Sequence, residues 1–463
     1  MRKKSFTLIF IFFFIMIIII GCNNSIKVNS KNPITLNLWH NYGGQLRDTM
    51  DNMIDEFNET IGSENGIVIN ITSISGSSTL HEKLVMAAND DPGAPTLPDI
   101  TSAYPKTALV LAKKGLLANL NQQFTTDELS KYIPEFLQEG QLHDDGLYVF
   151  PTAKSTEVLF VNTILFNKFA SNTGVKLEDL QTIEGIIELA NLYYVWTDEK
   201  TPHIENDGKM FFMADSLFNY SLLGCKQLGG DFIINNSINL HTAQYNKVWK
   251  NYFNPAALGQ VAIFDGYATD LAKTGDIVCS TGSTAGISFY PTTVTYADNT
   301  TEPIELTILP YPVFEGGSKT AIQRGAGMSV IKSSKEKEHA AGIFLKWFTK
   351  PENNIRFISS TGYLPVSKEA FGELMSREID SVSDENIKKL LIASKIMQKE
   401  YTFYIPPLFD GVDELQKQYE NKLRETALEG RQAYTELLNS MDSEMSYDAV
   451  FDQMYNEIIN YFP

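Results

Sequence analysis

The residues best suited to chemistry in this sequence are hydroxyl side chains gathered in one short segment that contains glycine. Residues 279–286, CSTGSTAG, follow the apolar Ile277 and Val278, which predicts a strand that runs into a small polar turn. Glycine lets backbone amides approach a ligand closely, and hydroxyl groups both donate and accept hydrogen bonds. We therefore predict that Ser283 and Thr284 bind a polar ligand. A surface turn that binds nothing is the alternative interpretation.

The common catalytic and metal-binding motifs need spacings that this sequence does not have. His81 and Glu82 are not followed by a second histidine four residues after the first, so no zinc-binding helix is predicted. Residues 282–283 do not belong to a G-x-S-x-G nucleophile elbow, and residues 316–320, GGSKT, lack the Gly-Lys pair of a phosphate-binding loop. We predict no catalytic residue, no metal site and no cofactor. A glycosidase stays open as the enzymatic alternative, because two carboxylates can meet in space from distant positions.

The composition restricts the classes of partner. With 56 acidic and 38 basic residues, the chain has a formal net charge of −18 at pH 7. Such a charge argues against nucleic acid as a partner and against electrostatic adhesion to anionic lipid. Beyond Cys22 the cysteines are Cys225 and Cys279. A disulfide between these two stays open outside the cytoplasm, but two cysteines make no framework.

The first residues predict secretion and a lipid anchor. Residues 2–4 are basic, and residues 6–20 form an uncharged, mostly apolar run. This run is short for a membrane-spanning helix, which needs about 20 residues, and it is typical of a signal-peptide core. Gly21 and Cys22 resemble the bacterial lipobox, in which the cysteine is lipidated; a signal anchor with an incidental cysteine is the alternative. We assign residues 1–21 to a lipoprotein signal peptide and residues 22–33 to a polar tether that holds a soluble body at the membrane.

The chain that follows alternates between strand and helix patterns. Residues with period-2 alternation or an apolar run predict strands at 34–38, 67–71 and 97–100, and apolar residues at helical spacing predict helices at 46–57 and 80–88. This order predicts an α/β protein with a parallel sheet. Ligands of such sheets bind beyond the carboxyl ends of the strands. The predicted contacts in the loops that follow these strands are Asn41, Tyr42, Ser78 and Tyr104.

Residues 325–366 have the clearest internal organisation in the chain. Ser333 and Glu336 have the spacing of a capping box, and the apolar residues that follow recur at helical spacing. Pro351 suits the first turn of a second helix, and Gly362 is a candidate for the left-handed residue that ends this second helix. The pattern predicts a strand, two helices and an extended exit.

This strand, the helix pair and the exit TGYLP at residues 361–365 together resemble the C-terminal signature of the family 1 extracellular solute-binding proteins. Members of that family capture ligands for ABC importers. The resemblance implies a two-lobed, type II periplasmic-binding-protein fold with three crossovers that form a hinge. It also implies a monomeric binding protein, not an enzyme, that delivers its ligand to permease subunits. The expected first lobe comprises residues 34–152 and 326–361, and the expected second lobe comprises residues 153–325 and 362–463.

Several positions match ligand-contacting positions of that family. Residues 39–42, WHNY, look like the Trp-His-Ser opening of glycerol-phosphate and sugar binders. Residues 155–157 lie where the first crossover reaches the cleft, although a solvated loop is the alternative there. Phe211 matches a position where relatives stack an aromatic ring on the ligand. The resemblance thus implies ligand contacts by Ser155, Thr156, Phe211, Arg324, Gly325 and Tyr363, with Glu157 as a further candidate.

The resemblance also restricts the ligand. The sequence looks most like the binders of sn-glycerol 3-phosphate, whose close relatives bind neutral oligosaccharides. The phosphate binders place an arginine late in the chain, whereas the corresponding residues 404–411, YIPPLFDG, include no basic residue. Enclosing a phosphate dianion without a fixed cation is costly. We therefore predict a neutral mono- or oligosaccharide that stacks on Phe211 and Tyr363, with a phosphate ester held by Arg324 as the alternative.

Overall fold

The computed structural model describes residues 32–142, 146–204, 206–437 and 443–462. The predicted signal peptide, the lipidation site Cys22 and nearly all of the tether lie outside these ranges. In the described ranges the strands are β1 (Ile34–His40), β2 (Ile67–Ser73), β3 (Ile100–Ala103), β4 (Phe150–Ser155), β5 (Glu157–Asn162), β6 (Phe212–Ala214), β7 (Ile233–Ile234), β8 (Ser237–Ile238), β9 (Cys279–Ser283), β10 (Thr293–Thr295), β11 (Thr301–Pro303), β12 (Leu306–Pro310), β13 (Thr320–Ile322), β14 (Arg324–Val330) and β15 (Thr402–Tyr404).

Helices cover the faces of the two larger sheets. Segments of π geometry at Asn58–Gly62 and Ala370–Leu374 adjoin α-helices, and 3-10 segments lie at Leu120–Gln122, Leu177–Gln181 and Thr284–Phe289. In the described ranges the α-helices are α1 (Gly44–Phe57), α2 (Ser63–Asn65), α3 (Ser77–Ala88), α4 (Pro105–Lys113), α5 (Thr126–Leu129), α6 (Pro134–Gly140), α7 (Thr163–Thr173), α8 (Ile183–Asp198), α9 (Leu217–Gln227), α10 (Ala243–Ala257), α11 (Ala268–Thr274), α12 (Lys335–Phe348), α13 (Pro351–Ile358), α14 (Met375–Ser381), α15 (Glu385–Glu400), α16 (Val412–Leu437) and α17 (Ser443–Tyr461).

The first lobe is built on a five-stranded sheet with the order β2-β1-β3-β14-β4. Strand β1 pairs in parallel with β2 and with β3, which confirms the parallel arrangement predicted from the alternating strand and helix patterns. Leu36 and Leu38 of β1 are fully buried, as their period-2 spacing predicts. Strand β14 returns late in the chain and pairs antiparallel with both β3 and β4. The sheet is therefore mixed.

The second lobe contains a four-stranded sheet with the order β12-β5-β9-β6. Strand β5 pairs antiparallel with β9 and β12, whereas β6 and β9 are parallel. Helices α9, α10 and α16 pack on one another in this lobe. The parallel β6 and β9 place their carboxyl ends at one edge of the sheet, which is where ligands of such folds bind.

Three crossovers connect the lobes, as predicted. The first is Thr156, the one residue between β4 and β5, and the second lies between β12 and β14. The third follows α13, and Leu364 in this segment exchanges backbone hydrogen bonds with Lys154 of β4. The predicted lobe boundaries at residues 152 and 325 fall inside β4 and β14, and they stay a prediction.

The predicted helix pair is present, with two differences at its ends. Ser334, not Ser333, caps α12, because Ser334 is extended and its hydroxyl accepts the amide of Lys337 at 3.3 Å. Helix α13 begins with Pro351 as predicted. It ends at Ile358, so Gly362 does not cap it, although Gly362 has the left-handed φ of 72°.

Cys225 and Cys279 are both buried and free, so no disulfide joins them. Burial raises the pKa of the Cys225 thiol to about 12, and a neutral thiol behaves as a small apolar side chain in the core. None of the helices in the described ranges combines the length and the hydrophobicity that a membrane span requires.

Candidate ligand-binding cleft

The carboxyl edge of the second sheet brings together polar side chains from three strands. Asp215 follows β6, and its amide donates to the carbonyl of Thr281 in β9 at 3.2 Å. Ser283 ends β9 and lies opposite Glu157, the first residue of β5, because these two strands are antiparallel. Glu157, Asp215 and Ser283 therefore share one edge of the sheet.

A cleft of about 720 Å³ lies between the two lobes and next to this edge. Its volume falls in the range of roughly 300–1,000 Å³ that is usual for small-molecule sites. Its lining includes both polar and apolar side chains, which suits a ligand with hydroxyl groups and apolar faces. The first lobe contributes Tyr104, Lys106, Gln138, Glu139 and Gln141, the hinge contributes Arg324 and Gly325, and the second lobe contributes Phe218, Asn219, residues 405–408 and Gln416.

An ion pair connects the hinge to the second sheet at the cleft. Arg324 Nη1 donates to Glu157 Oε1 at 2.8 Å, and Asn219 Nδ2 donates to the same oxygen at 2.7 Å. Glu157 is only 2% exposed. Burial raises the pKa of the Glu157 carboxyl, and the charge of Arg324 and the hydrogen bond from Asn219 oppose that rise. The pair lies at the point where the two lobes meet.

A second carboxyl group lies near the same arginine. Asp215 is half-buried, and its Oδ1 accepts the amide of Ala268 at 2.9 Å. Burial raises the pKa of Asp215, whereas the amide of Ala268 and the charge of Arg324 lower it. The sequence analysis missed Asp215. A polar residue that directly follows a short apolar strand was the signal that would have identified it.

The comparisons with known proteins agree with this architecture. The model of the family described as bacterial extracellular solute-binding protein matches residues 52–380. The chain belongs to this family. The prediction that this solute-binding protein has the two-lobed fold of a binding protein is therefore confirmed. A search of curated proteins found no match for the sequence.

Solved structures similar to this solute-binding protein share its fold. One is the cyclic alpha-maltosyl-1,6-maltose binding protein of Arthrobacter globiformis, with a TM-score of 0.67 and 19% identity over 92% of this chain and 99% of that chain. Another is the substrate-binding protein Lmo0181 of Listeria monocytogenes in complex with cycloalternan, with a TM-score of 0.64 and 15% identity over 92% and 99% of the two chains. UgpB of Mycobacterium tuberculosis in complex with glycerophosphocholine has a TM-score of 0.65 and 16% identity over 93% and 100%.

Three of the residues predicted from sequence line the cleft of the solute-binding protein. Tyr104 precedes α4, and Arg324 and Gly325 begin β14. Asn41 lies at the carboxyl end of β1, where its Oδ1 accepts the hydroxyl of Ser102 at 3.1 Å. Ser78 is exposed in the first turn of α3. The roles of these five residues in binding stay predictions.

Phe211 does not lie at the cleft, so the prediction of a stacking platform at this residue is wrong. Its side chain is fully buried. The ring centroid lies 5.4 Å from that of Tyr193 and 6.0 Å from that of Phe169, both on helices of the second lobe. Phe211 immediately precedes β6, and its carbonyl accepts the amides of Val278 and Cys279, which holds the residue in the body of the lobe. The position therefore belongs to the aromatic core.

Tyr42 and Tyr363 are also less accessible than the sequence analysis assumed. Both are buried, and their ring centroids lie 6.2 Å apart in an edge arrangement. Phe357 of α13 packs against both rings, at 5.5 Å from Tyr42 and 6.4 Å from Tyr363. These tyrosines form part of the apolar interior of the first lobe. Stacking of a ligand on the face of Tyr363 would require this packing to rearrange.

Thr156 and Thr284 hold the hinge together through side-chain and backbone hydrogen bonds. Thr156 Oγ1 donates to the carbonyl of Ile322 at 2.7 Å, and the amide of Thr284 donates to the carbonyl of Thr156 at 2.8 Å. Both threonines are fully buried, and Ser155 is nearly so. These three side chains are inaccessible in this structure, which contradicts the prediction that they contact the ligand directly. Ser283 is half-buried at the sheet edge, and its role in binding stays a prediction.

Exposed aromatic side chains near the polar edge were not identified from sequence. Tyr267 is 71% exposed and directly precedes Ala268, whose amide donates to Asp215. Phe289 is 73% exposed and ends the 3-10 turn that follows Ser283. Neither side chain lines the cleft, so their exposure makes them candidates for contact with a ligand that extends beyond it.

Proposed function

We propose that this protein captures a neutral mono- or oligosaccharide by closure of its two lobes and delivers it to the permease of an ABC importer. The observation that carries the proposal is the cleft of about 720 Å³, whose lining combines hydrogen-bonding and apolar side chains. Sugars present hydroxyl groups at their edges and apolar C–H faces, so they suit this combination. Two similar structures are the cyclic alpha-maltosyl-1,6-maltose binding protein and Lmo0181 in complex with cycloalternan.

The wall formed by the late part of the chain supports a neutral ligand. Residues 405–408, IPPL, line the cleft, and the surrounding residues 404–411 contain no basic side chain. A phosphate ester held by Arg324 is the second candidate. The similar structure of UgpB contains glycerophosphocholine, which supports this candidate. The pairing of Arg324 with Glu157 favours the neutral sugar, because the cation is already compensated.

We infer that Asp215, Tyr267 and Ser283, at the sheet edge beside the cleft, add ligand contacts on the second lobe to that of Arg324, which lines the cleft. A half-buried carboxylate accepts hydrogen bonds from sugar hydroxyls, and an exposed aromatic ring packs against a sugar face. Tyr267 takes the role that the sequence analysis gave to Phe211. We also propose that the protein is a monomer on the extracellular face of the membrane, anchored through a lipid on Cys22, with residues 22–33 as a tether.

Isothermal titration of the purified chain from residue 23 with maltose, maltotriose, a cyclic tetrasaccharide, sn-glycerol 3-phosphate and glycerophosphocholine tests the proposal. We expect at least one neutral sugar to bind with a dissociation constant in the micromolar range, and Asp215→Asn to weaken it about tenfold. Asp298→Asn, a surface carboxylate that pairs with Thr300, is the matched control and should leave the affinity unchanged. Binding of a phosphate ester alone would favour the second candidate. Turnover of a bound sugar would favour a glycosidase.

A further inference from the structure

We propose that Glu157 determines the charge of the ligand by keeping Arg324 compensated, so that the cleft rejects anionic solutes. The inference rests on the proposed function, since it concerns the same cleft. The selectivity against phosphate esters then comes from the buried carboxylate of Glu157. It does not come only from the missing arginine in residues 404–411. Arg324 lines the cleft with its side chain 37% exposed, so a ligand can reach it.

Glu157 is held in place from two directions. Its Oε1 accepts from Arg324 Nη1 at 2.8 Å and from Asn219 Nδ2 at 2.7 Å. Arg324 begins β14 and Asn219 belongs to α9, so the carboxylate joins the hinge to the second lobe. Because Glu157 is only 2% exposed, it cannot turn out to water when a competing anion arrives.

A phosphate group that bound the other donors of Arg324 would share a guanidinium whose charge Glu157 already compensates, and one that displaced Glu157 would have to break this ion pair. The Glu157 carboxylate would then remain buried with Asn219 as its remaining donor, which is an expensive arrangement for a charge in the interior. Asp215 adds a second negative charge near the same guanidinium. A neutral hydroxyl avoids both costs. A guanidinium has five N–H donors, so its pairing with Glu157 leaves donors for such hydroxyls.

Two lysines near the cleft are also paired with carboxylates. Lys106 Nζ lies 2.5 Å from Asp413 Oδ2, and both residues line the cleft. Lys154 is buried and pairs with Glu139, which also lines the cleft. In the described part of the chain, these lysines and Arg324 are thus each paired with a carboxylate. The cleft presents compensated cations to a solute, and an anion gains little on entering it.

Glu157→Gln is the informative variant, because glutamine has the same shape and its Oε1 can still accept from Arg324 and Asn219. The net charge of the site changes by one without loss of these hydrogen bonds. Asp215→Asn changes it by one more. The affinity for a phosphate ester should therefore be lowest in wild type, higher in Glu157→Gln and highest in the double variant.

Titration calorimetry with sn-glycerol 3-phosphate at low and fixed ionic strength measures this order. We expect binding by wild type to be too weak to detect, binding by Glu157→Gln to be at least about tenfold tighter than the detection limit, and binding by the double variant to be tighter still. Arg324→Gln in the double-variant background should abolish the gain. Glu56→Gln, which removes the carboxylate from the surface pair with Arg356, is the matched control and should gain nothing.

Two results would overturn the inference. One is tight binding of the phosphate ester by wild type that Arg324→Gln removes. The other is a folded Glu157→Gln protein, with a cooperative thermal transition, that gains no phosphate affinity. Glu157→Ala replaces the glutamine variant if that variant does not fold. Failure of the proposed function is a separate result, namely that wild type binds no neutral sugar, and it is measured in a separate titration.

Discussion

Lys106 Nζ of α4 lies 2.5 Å from Asp413 Oδ2 of α16, so an ion pair joins the two lobes at the rim of the cleft. Lys113, at the end of the same helix, pairs with Asp410 at 2.6 Å. Helix α4 packs on β3 and β14 of the first lobe, whereas α16 packs on α9 and α10 of the second. The two pairs therefore form only when the lobes approach each other.

Removing both lysines should favour the open state. Each exposed ion pair contributes about 0.2–1 kcal/mol, so Lys106→Ala with Lys113→Ala should weaken ligand affinity by roughly twofold to thirtyfold. Small-angle scattering of the ligand-free protein should show a larger radius of gyration for the double variant. Wild type should expand toward the same value at high salt, where surface charges are screened. Lys319→Ala removes a pair with Glu400 within the second lobe and is the control. Identical scattering curves for all three proteins would contradict an interlobe role.

Gly325 should tolerate no side chain. Its φ of 95° lies in the left-handed region, and an added Cβ would lie 2.7 Å from the carbonyl oxygen of Ala153. Gly325→Ala should lower the free energy of unfolding by about 1–3 kcal/mol from backbone strain alone, with a further loss from the clash. Gly286→Ala is the control, because a Cβ there meets open space and its backbone has no positive φ. Chemical denaturation measures both variants. Equal midpoints would contradict the predicted strain at Gly325.

His40 should make the protein less stable in mild acid. Its side chain is fully buried, and its Nδ1 accepts the amide of Tyr42 at 3.1 Å. Burial, with a smaller effect from Arg47, lowers the pKa of His40 to about 4. The unfolded chain binds a proton near pH 6.5, so the stability due to neutral His40 is present above pH 6.5 and is lost as the pH falls toward 4.

Thermal unfolding between pH 4 and pH 7 measures this effect. The loss due to His40 should approach about 3 kcal/mol at the acid end. His40→Gln should be less stable than wild type at pH 7 but should lose less stability on acidification. His203→Gln changes an exposed histidine and should follow the wild-type profile. A wild-type profile parallel to that of His40→Gln would show that His40 does not titrate in this way.

Lipidation should depend on Cys22. Cells that express wild type should incorporate a fatty-acid analogue into the protein and retain it in the membrane fraction, because acyl chains on the cysteine anchor it. Cys22→Ser should remove the label and release or mislocalise the protein. Cys225→Ala changes a buried cysteine of the second lobe and should keep the label. Label that persists in Cys22→Ser would refute lipidation at this residue.

Local patterns in the sequence determined the class of the fold. The period-2 strands before residue 74 and the helix pair after residue 334 form as predicted, because their buried faces are encoded in the spacing of apolar residues. Tyr104, which the carboxyl-end rule selected, lines the cleft, and the absence of a basic residue from residues 404–411 can be read directly from the sequence. A linear sequence is enough to predict contacts between near neighbours and the periodicity of burial.

The tertiary structure alone decided which side chains face the cleft and which charged side chains are paired with an opposite charge. Phe211 and Tyr193 are separated by 18 positions yet share one aromatic core, and no local pattern distinguishes a buried aromatic ring from one that faces a ligand. Likewise, 167 residues separate Arg324 from Glu157, so their pairing appears only when β14 and β5 meet at the hinge. The sequence by itself determined the fold class and the local pattern of strands and helices. The charge and the accessible surface of the cleft depend on long-range packing, which decides burial and therefore the free energy of every polar contact.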